Sequence, residues 1–395
     1  MNTVWNGRIG HSMSNNTQSN PSSSGSGRKL APDLARGFML LLIALAHANQ
    51  NLLTLEATTF NRMIVVLRQI FVDGRAFPVF FLLFGYGMVQ LLHRQEEKGH
   101  DWPFIRKLFL RRGWWLLLFG FAHAVSLDDL TIGLYGMATI LFVWFLRLSD
   151  KKLIWIAAAA LLLAAVLGSE ITRGEYEWRQ VASAPGTAAL AGSVDTMLTR
   201  LFYWAPYSLI LLHQVIPAMA LGIWAGRKKL LDHPERHRGL LLRTAAVGLA
   251  LSTLGGIPLA LLSSLYWNSP SEAATAIAGS IHTVTGYAGG IGWASLIGLI
   301  ACSPRTVRSK LTRAVAALGQ RSLTFYIFQS IVFFIVFAEG IGGLGATGNQ
   351  LSSDIVAWLA WILSILIALF MQRANYPGPA EQLLRRLTYR MTPNR

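Results

Sequence analysis

The chain has 395 residues, 53% of them hydrophobic and only 14% charged, and its mean hydropathy is +0.43. That balance excludes an ordinary soluble enzyme and predicts an all-α, polytopic helical bundle in a membrane. A formal charge of +16 would suit nucleic acid, and a lone Cys302 excludes an internal disulfide framework and a cysteine-built zinc site.

The first residues, 1–32, are polar, rich in Ser and Asn, and lack the apolar core of a signal peptide, so they read as a disordered tail, with Met13 as an alternative start. A span needs about 20 apolar residues. Ten stretches qualify: 37–53, 76–92, 108–126, 130–148, 152–168, 203–226, 240–264, 277–301, 315–338 and 355–371. Residues 33–376 therefore form the transmembrane bundle, and 377–395 an interfacial helix and tail with Arg385 and Arg386 on the headgroups.

Charge decides the orientation. Arg94, Lys98, Arg106 and Lys107 lie between the second and third stretches, with Arg111 and Arg112 at the start of the third, and comparable basic groups follow the fourth, sixth, eighth and tenth. The intervening connections "SLDD", "SPSEAAT" and "EGIGGLGATGNQLSSD" carry no Lys or Arg. Under the positive-inside rule this alternation puts both termini in the cytoplasm. The basic excess is then a topology signal, and nucleic acid is not an expected partner; membrane lipids are. Loop 54–75 breaks the pattern with Arg62, Arg68 and Arg75 and suits an interfacial helix; loop 169–200 is the longest external segment.

Two stretches repeat one spacing: "RGFMLLLIALAHA" from Arg36 and "RGWWLLLFGFAHA" from Arg112. Eleven residues make about three helical turns, so Arg36 and His47 share a face, as do Arg112 and His123, with ~16 Å between them. Each arginine falls at the cytoplasmic edge, where a positive residue is ordinary topology. Each histidine falls within the span, where an ionisable group is costly and faces a bundle interior or wet cavity; an interhelical hydrogen bond is the plain alternative. Asn51 shares the face of His47, and Asp128 and Asp129 close the third stretch close to His123. His213 and His282 read as structural. Tyr326, Gln329 and Ser330 share one helical face by i, i+3, i+4 spacing, which should look toward the first and third spans.

Four blocks carry a resemblance. "DLARG" (Asp33 to Gly37), "GFAHA" (Gly120 to Ala124), "GQRSLTFYIFQS" (Gly319 to Ser330) and "YPGPAEQLLRRLTY" (Tyr376 to Tyr389) resemble the YeiB-like bacterial membrane proteins, domain of unknown function 418. Two departures stand out: "DDLTIGLYG" puts Asp129 six residues before Tyr135, one more than in that family, and His47 replaces its commoner asparagine. Arginine, ten residues, then histidine resembles the motif of the acyltransferase-three membrane family. The YeiB-like proteins look distantly similar to that family and to the lysosomal heparan acetyltransferases.

The resemblance implies an acyl group moved from cytoplasmic acyl-CoA to a hydroxyl or amine on a glycan, lipid or small molecule at the outer face of a bacterial cytoplasmic membrane. Arg36 and Arg112 would hold the donor, and His47 or His123 would act as base. Asp33, Asn51, Asp129, Tyr326 and Gln329 would contact substrate. No metal is expected, and a homo-oligomer is left open. A transporter or lipid-handling protein is the competing reading; a haem ligated by two histidines is a third.

Overall fold

A computed structural model describes residues 30–52, 58–127, 130–182 and 194–389. Among the described residues there are helices and turns and no strands. The helices are α1 Leu30–Gln50, α2 Thr59–Phe71, α3 Ala76–Glu96, α4 Trp102–Leu127, α5 Thr131–Phe142, α6 Asp150–Ala182, α7 Val194–Arg227, α8 Arg238–Ser263, α9 Glu272–Ile300, α10 Pro304–Arg308, α11 Lys310–Gly319, α12 Ser322–Phe337, α13 Leu344–Thr347, α14 Gln350–Arg373 and α15 Pro379–Tyr389.

Among the described residues, seven helical runs are long and apolar enough to cross a membrane, or eight if the bent pair α11–α12 is one span. A helix covers each of the ten expected stretches, but not every helix is a span by this measure. The first half of α4 carries Arg106, Lys107, Arg111 and Arg112, and α5 runs only 12 residues before a short 3-10 turn. The region 54–75 contains α2, which joins α3 in one run of 38 residues, Thr59–Glu96. The outward faces of α6, α8 and α14 are apolar, with Trp155, Leu254 and Phe370 each more than two-thirds exposed, as a lipid-facing surface requires.

The stretch 315–338, expected as one span, is broken: α11 and α12 meet at 85°. Close packing explains the break. A Cβ on Gly319 would stand 1.9 Å from the carbonyl oxygen of Asp33, and one on Gly37 would stand 2.0 Å from that of Val315. Two glycines thus let α11 lie directly on the first turns of α1, and the chain must turn before it can run alongside the bundle as α12. Arg321, buried at the bend, donates from Nη1 to Ala317 O (3.0 Å) and from Nε and Nη2 to Tyr376 O (3.1 and 2.9 Å). The orphan carbonyls at the end of α11 so acquire a cationic partner. Trp361 Nε1 donates to Gly37 O at 2.9 Å and ties α14 to the same turn of α1.

At the opposite end of α3 from Arg94, Arg75 is fully buried between α8 and α9. Its Nε donates to Ser252 Oγ (2.8 Å), Nη2 to Ser252 O (2.6 Å) and Nη1 to Asp73 O (2.7 Å), with the His282 ring nitrogens at 3.0 and 3.1 Å. Nearby, Arg68 pairs with Asp354 and with Asp73 (3.4 Å) and joins α2 to α14. His282 and His213, whose Nδ1 meets the carbonyl of Ile210 one turn back, are therefore bonded within the bundle.

Candidate functional site

A cavity of about 1740 Å3 opens at the end of the bundle that carries the basic connections. It exceeds the roughly 300–1,000 Å3 of a drug-sized ligand site. Along α3 its wall runs Phe80, Leu83, Phe84, Gly87, Leu91 and Arg94, a stripe at helical spacing, and continues to Lys98. From Phe80 to Arg94 the stripe is ~21 Å long, so the cavity is deep as well as large.

Its floor is aromatic. Tyr135 of α5 packs at a tilt against Phe80 and Phe84, each at 4.2 Å between centroids, and Tyr326 of α12 lies 6.2 Å from Phe80. Above the floor Arg36 and Arg112 face in from α1 and α4. Arg36 is held by Asp33, whose Oδ1 accepts from Nη1 at 3.1 Å, and its guanidinium lies over Gly87, where a Cβ would stand 2.8 Å from Nη2. Arg112 makes no hydrogen bond or ion pair among the described residues. At the mouth are Arg94, Lys98, Arg385 and Arg386, with Arg321 and the carboxylates of Glu97 and Glu381 also in the wall. Seven cations against two carboxylates make the cavity strongly positive, and low-dielectric walls focus that field on an anion entering it.

The two histidines meet at Tyr326. Its hydroxyl is 3.5 Å from His47 Nδ1, and its ring is 5.8 Å from both imidazoles. Neither His47 nor His123 lines the cavity, in which they were expected; the Tyr326 ring intervenes. His123 is buried and His47 only partly so. Gln329, one turn beyond Tyr326, is 2% exposed, and neither of its amide atoms finds a partner.

The expected residues thus divide. Arg36, Arg112 and Tyr326 share the cavity, and His47 and His123 adjoin it. Asp33 serves Arg36 and is absent from the wall. Asn51 is exposed and donates to His47 O at 2.8 Å, a local bond at the end of α1, while Gln329 lies inside the bundle. Asp128 and Asp129 lie outside the described residues, as do 183–193 of the expected loop 169–200; the rest of that loop is helical, continuing α6 to Ala182 and beginning α7 at Val194.

Sequence reasoning did not pick out Glu381 as a structural element. Its Oε1 accepts from the backbone N–H of Leu323 (2.8 Å) and Thr324 (3.2 Å), and its Oε2 bonds the Thr324 hydroxyl, which in turn accepts from Ala380 N at 3.1 Å. A carboxylate from α15 so caps the first turn of α12. Gly378 is needed here, because a Cβ would stand 2.0 Å from that carboxylate. The two blocks "GQRSLTFYIFQS" and "YPGPAEQLLRRLTY" interlock through Arg321–Tyr376 and Glu381–Thr324.

Fold and site together define an all-helical protein of membrane type, with several helices long and apolar enough to cross a bilayer and a basic cavity at one end of the bundle. Residues 225–391 match the family described as "Protein of unknown function (DUF418)". The chain is similar to the "Uncharacterized protein YxaH" of Bacillus subtilis (strain 168), 25% identical over 342 residues, covering 81% of this chain and 80% of that one. It also resembles the "Uncharacterized 39.9 kDa protein in amylase 3'region" of Bacillus acidopullulyticus, 28% identical over 142 residues, covering 35% and 40% of the two chains.

Proposed function

We propose that this protein is a YeiB-like, acyl-CoA-dependent transmembrane acyltransferase of the bacterial cytoplasmic membrane, with ten membrane-crossing segments and both termini inside. The observation that supports it is the cavity: deep, cationic above an aromatic floor, and ending at a tyrosine flanked by two histidines. Arg36 and Arg112 bind the donor's phosphates through charge-assisted, bidentate bonds. The thin pantetheine arm runs down the Leu83–Phe84 wall and sets the thioester at Tyr326.

The acceptor, a hydroxyl or amine on a glycan, lipid or small molecule, approaches His47 from the other side. Transfer then requires the Tyr326 ring to turn aside. Neutral His47 takes the acceptor's proton as its oxygen or nitrogen attacks the thioester carbonyl carbon. The C–S bond breaks, and the departing thiolate takes up that proton as coenzyme A is released. His123 orients the acceptor or Tyr326.

The test is acyl transfer or acyl-CoA hydrolysis by the purified protein, followed by mass spectrometry. Loss of a general base typically costs ~10²–10⁴-fold, so His47→Ala should abolish turnover while the protein folds normally. Full activity in His47→Asn would remove His47 as base and pass the role to His123. A second reading, a transporter or lipid-handling protein, draws on the same closure at Tyr326, since a cavity stopped mid-bundle suits alternating access. Substrate flux in proteoliposomes without acyl-CoA turnover would favour it.

A further inference from the structure

The cations of the cavity stand in two tiers, and α3 measures the step between them. Arg36 lies over Gly87, beside Arg112. Seven residues further along the same face α3 presents Arg94, ~10 Å nearer the mouth. The last turns of α15 reach this upper level: Gln95 Nε2 donates to Tyr389 OH at 3.4 Å, and Arg385 and Arg386 line the wall. Among the described residues, none of Arg94, Arg112, Arg385 and Arg386 hydrogen-bonds or pairs with a carboxylate. Like charges so gathered repel one another, and a bound anion relieves that repulsion.

One anionic group would satisfy the deep tier alone. Two tiers a helical step apart fit a ligand with two phosphate groups separated by a sugar. We propose that the mouth tier, Arg94, Arg385 and Arg386, is a second anion subsite for the phosphomonoester on the ribose of coenzyme A, while Arg36 and Arg112 hold its diphosphate. This rests on the acyl-CoA reading and specifies what α15 adds to it: recognition of the one phosphate that distinguishes coenzyme A from dephospho-coenzyme A.

The experiment is titration calorimetry of the full chain in neutral detergent with coenzyme A and with dephospho-coenzyme A. Charged hydrogen bonds to a phosphate give a preference on the order of 10–100-fold for coenzyme A. Arg385→Gln/Arg386→Gln, two exposed positions, should bring that ratio close to one, and Arg36→Gln should weaken both ligands alike. Equal binding of the two ligands by the native chain, or a preference that survives the double variant, overturns the subsite and leaves the acyl-CoA reading standing. Binding of neither ligand overturns that reading and the subsite with it. The same titration in phosphatidylglycerol and in phosphatidylcholine nanodiscs separates the phosphate sources. If phosphatidylglycerol alone erases the preference, the mouth tier is a lipid-headgroup site and the proposal fails.

Discussion

Arg75 and Arg112 are both arginines set among membrane helices, and their surroundings are opposites. Arg75 is fully buried, with backbone carbonyls, a hydroxyl and an imidazole filling its donor positions. Arg112 faces a cavity with no bonded partner among the described residues. A guanidinium carries five N–H donors in a fixed fork. Where the protein supplies the acceptors, the arginine joins helices; where it does not, the guanidinium is left facing the cavity. Charge within the bundle therefore says little about function until each donor is accounted for.

Substitution at the two sites should separate these roles. Arg75→Leu leaves Ser252, Asp73 O and His282 without their shared donor, and we expect a loss of about 2–4 kcal/mol. Thermal unfolding in detergent would reveal it, and an unchanged midpoint would break the comparison. Arg112→Gln should leave that midpoint level or raised, because it removes an unpaired cation, while donor affinity falls about tenfold or more by calorimetry. A destabilised Arg112→Gln protein with native affinity would reverse the assignment. Glu381→Gln weakens the cap on α12 and should cost about 1 kcal/mol, again read from the unfolding midpoint. Asn51→Ala, an exposed side chain bonded only to the carbonyl one turn back, should stay within about 0.5 kcal/mol; a larger fall in turnover than in stability would restore it as a substrate contact.

Periodicity and spacing made part of this molecule legible. The equal Arg-to-His interval led to the expectation of one cavity shared by both pairs; Arg36 and Arg112 line it, whereas His47 and His123 do not and instead meet the ring of Tyr326. Tyr326 and Gln329 were readable as an inward face by the same rule. The bend at Gln320–Arg321 was not, since a polar pair next to an apolar run looks like the flank of a span. Its cause lies in Gly37, more than two hundred residues away in sequence. Arg385 and Arg386 read as headgroup anchors because local sequence gives no hint that α15 folds back across α4 and α12. The wall of the cavity draws on eight helices, α1, α3, α4, α5, α11, α12, α14 and α15, and no single window of sequence contains it.

The cap on α12 has a consequence for biosynthesis. Glu381 lies beyond every apolar helix of the bundle, so the ribosome has translated them all before this carboxylate exists. Until then Leu323 and Thr324 lack the acceptor that closes the first turn, and the Arg321 guanidinium lacks the carbonyl of Tyr376. A ribosome that stalls after α14 therefore releases a protein whose apolar helices are all made but whose cavity lacks the wall that α15 provides. Quality-control proteases that sample exposed polar backbone would meet such products at α12, and a fusion partner joined after α14 should be degraded faster than one joined after α15.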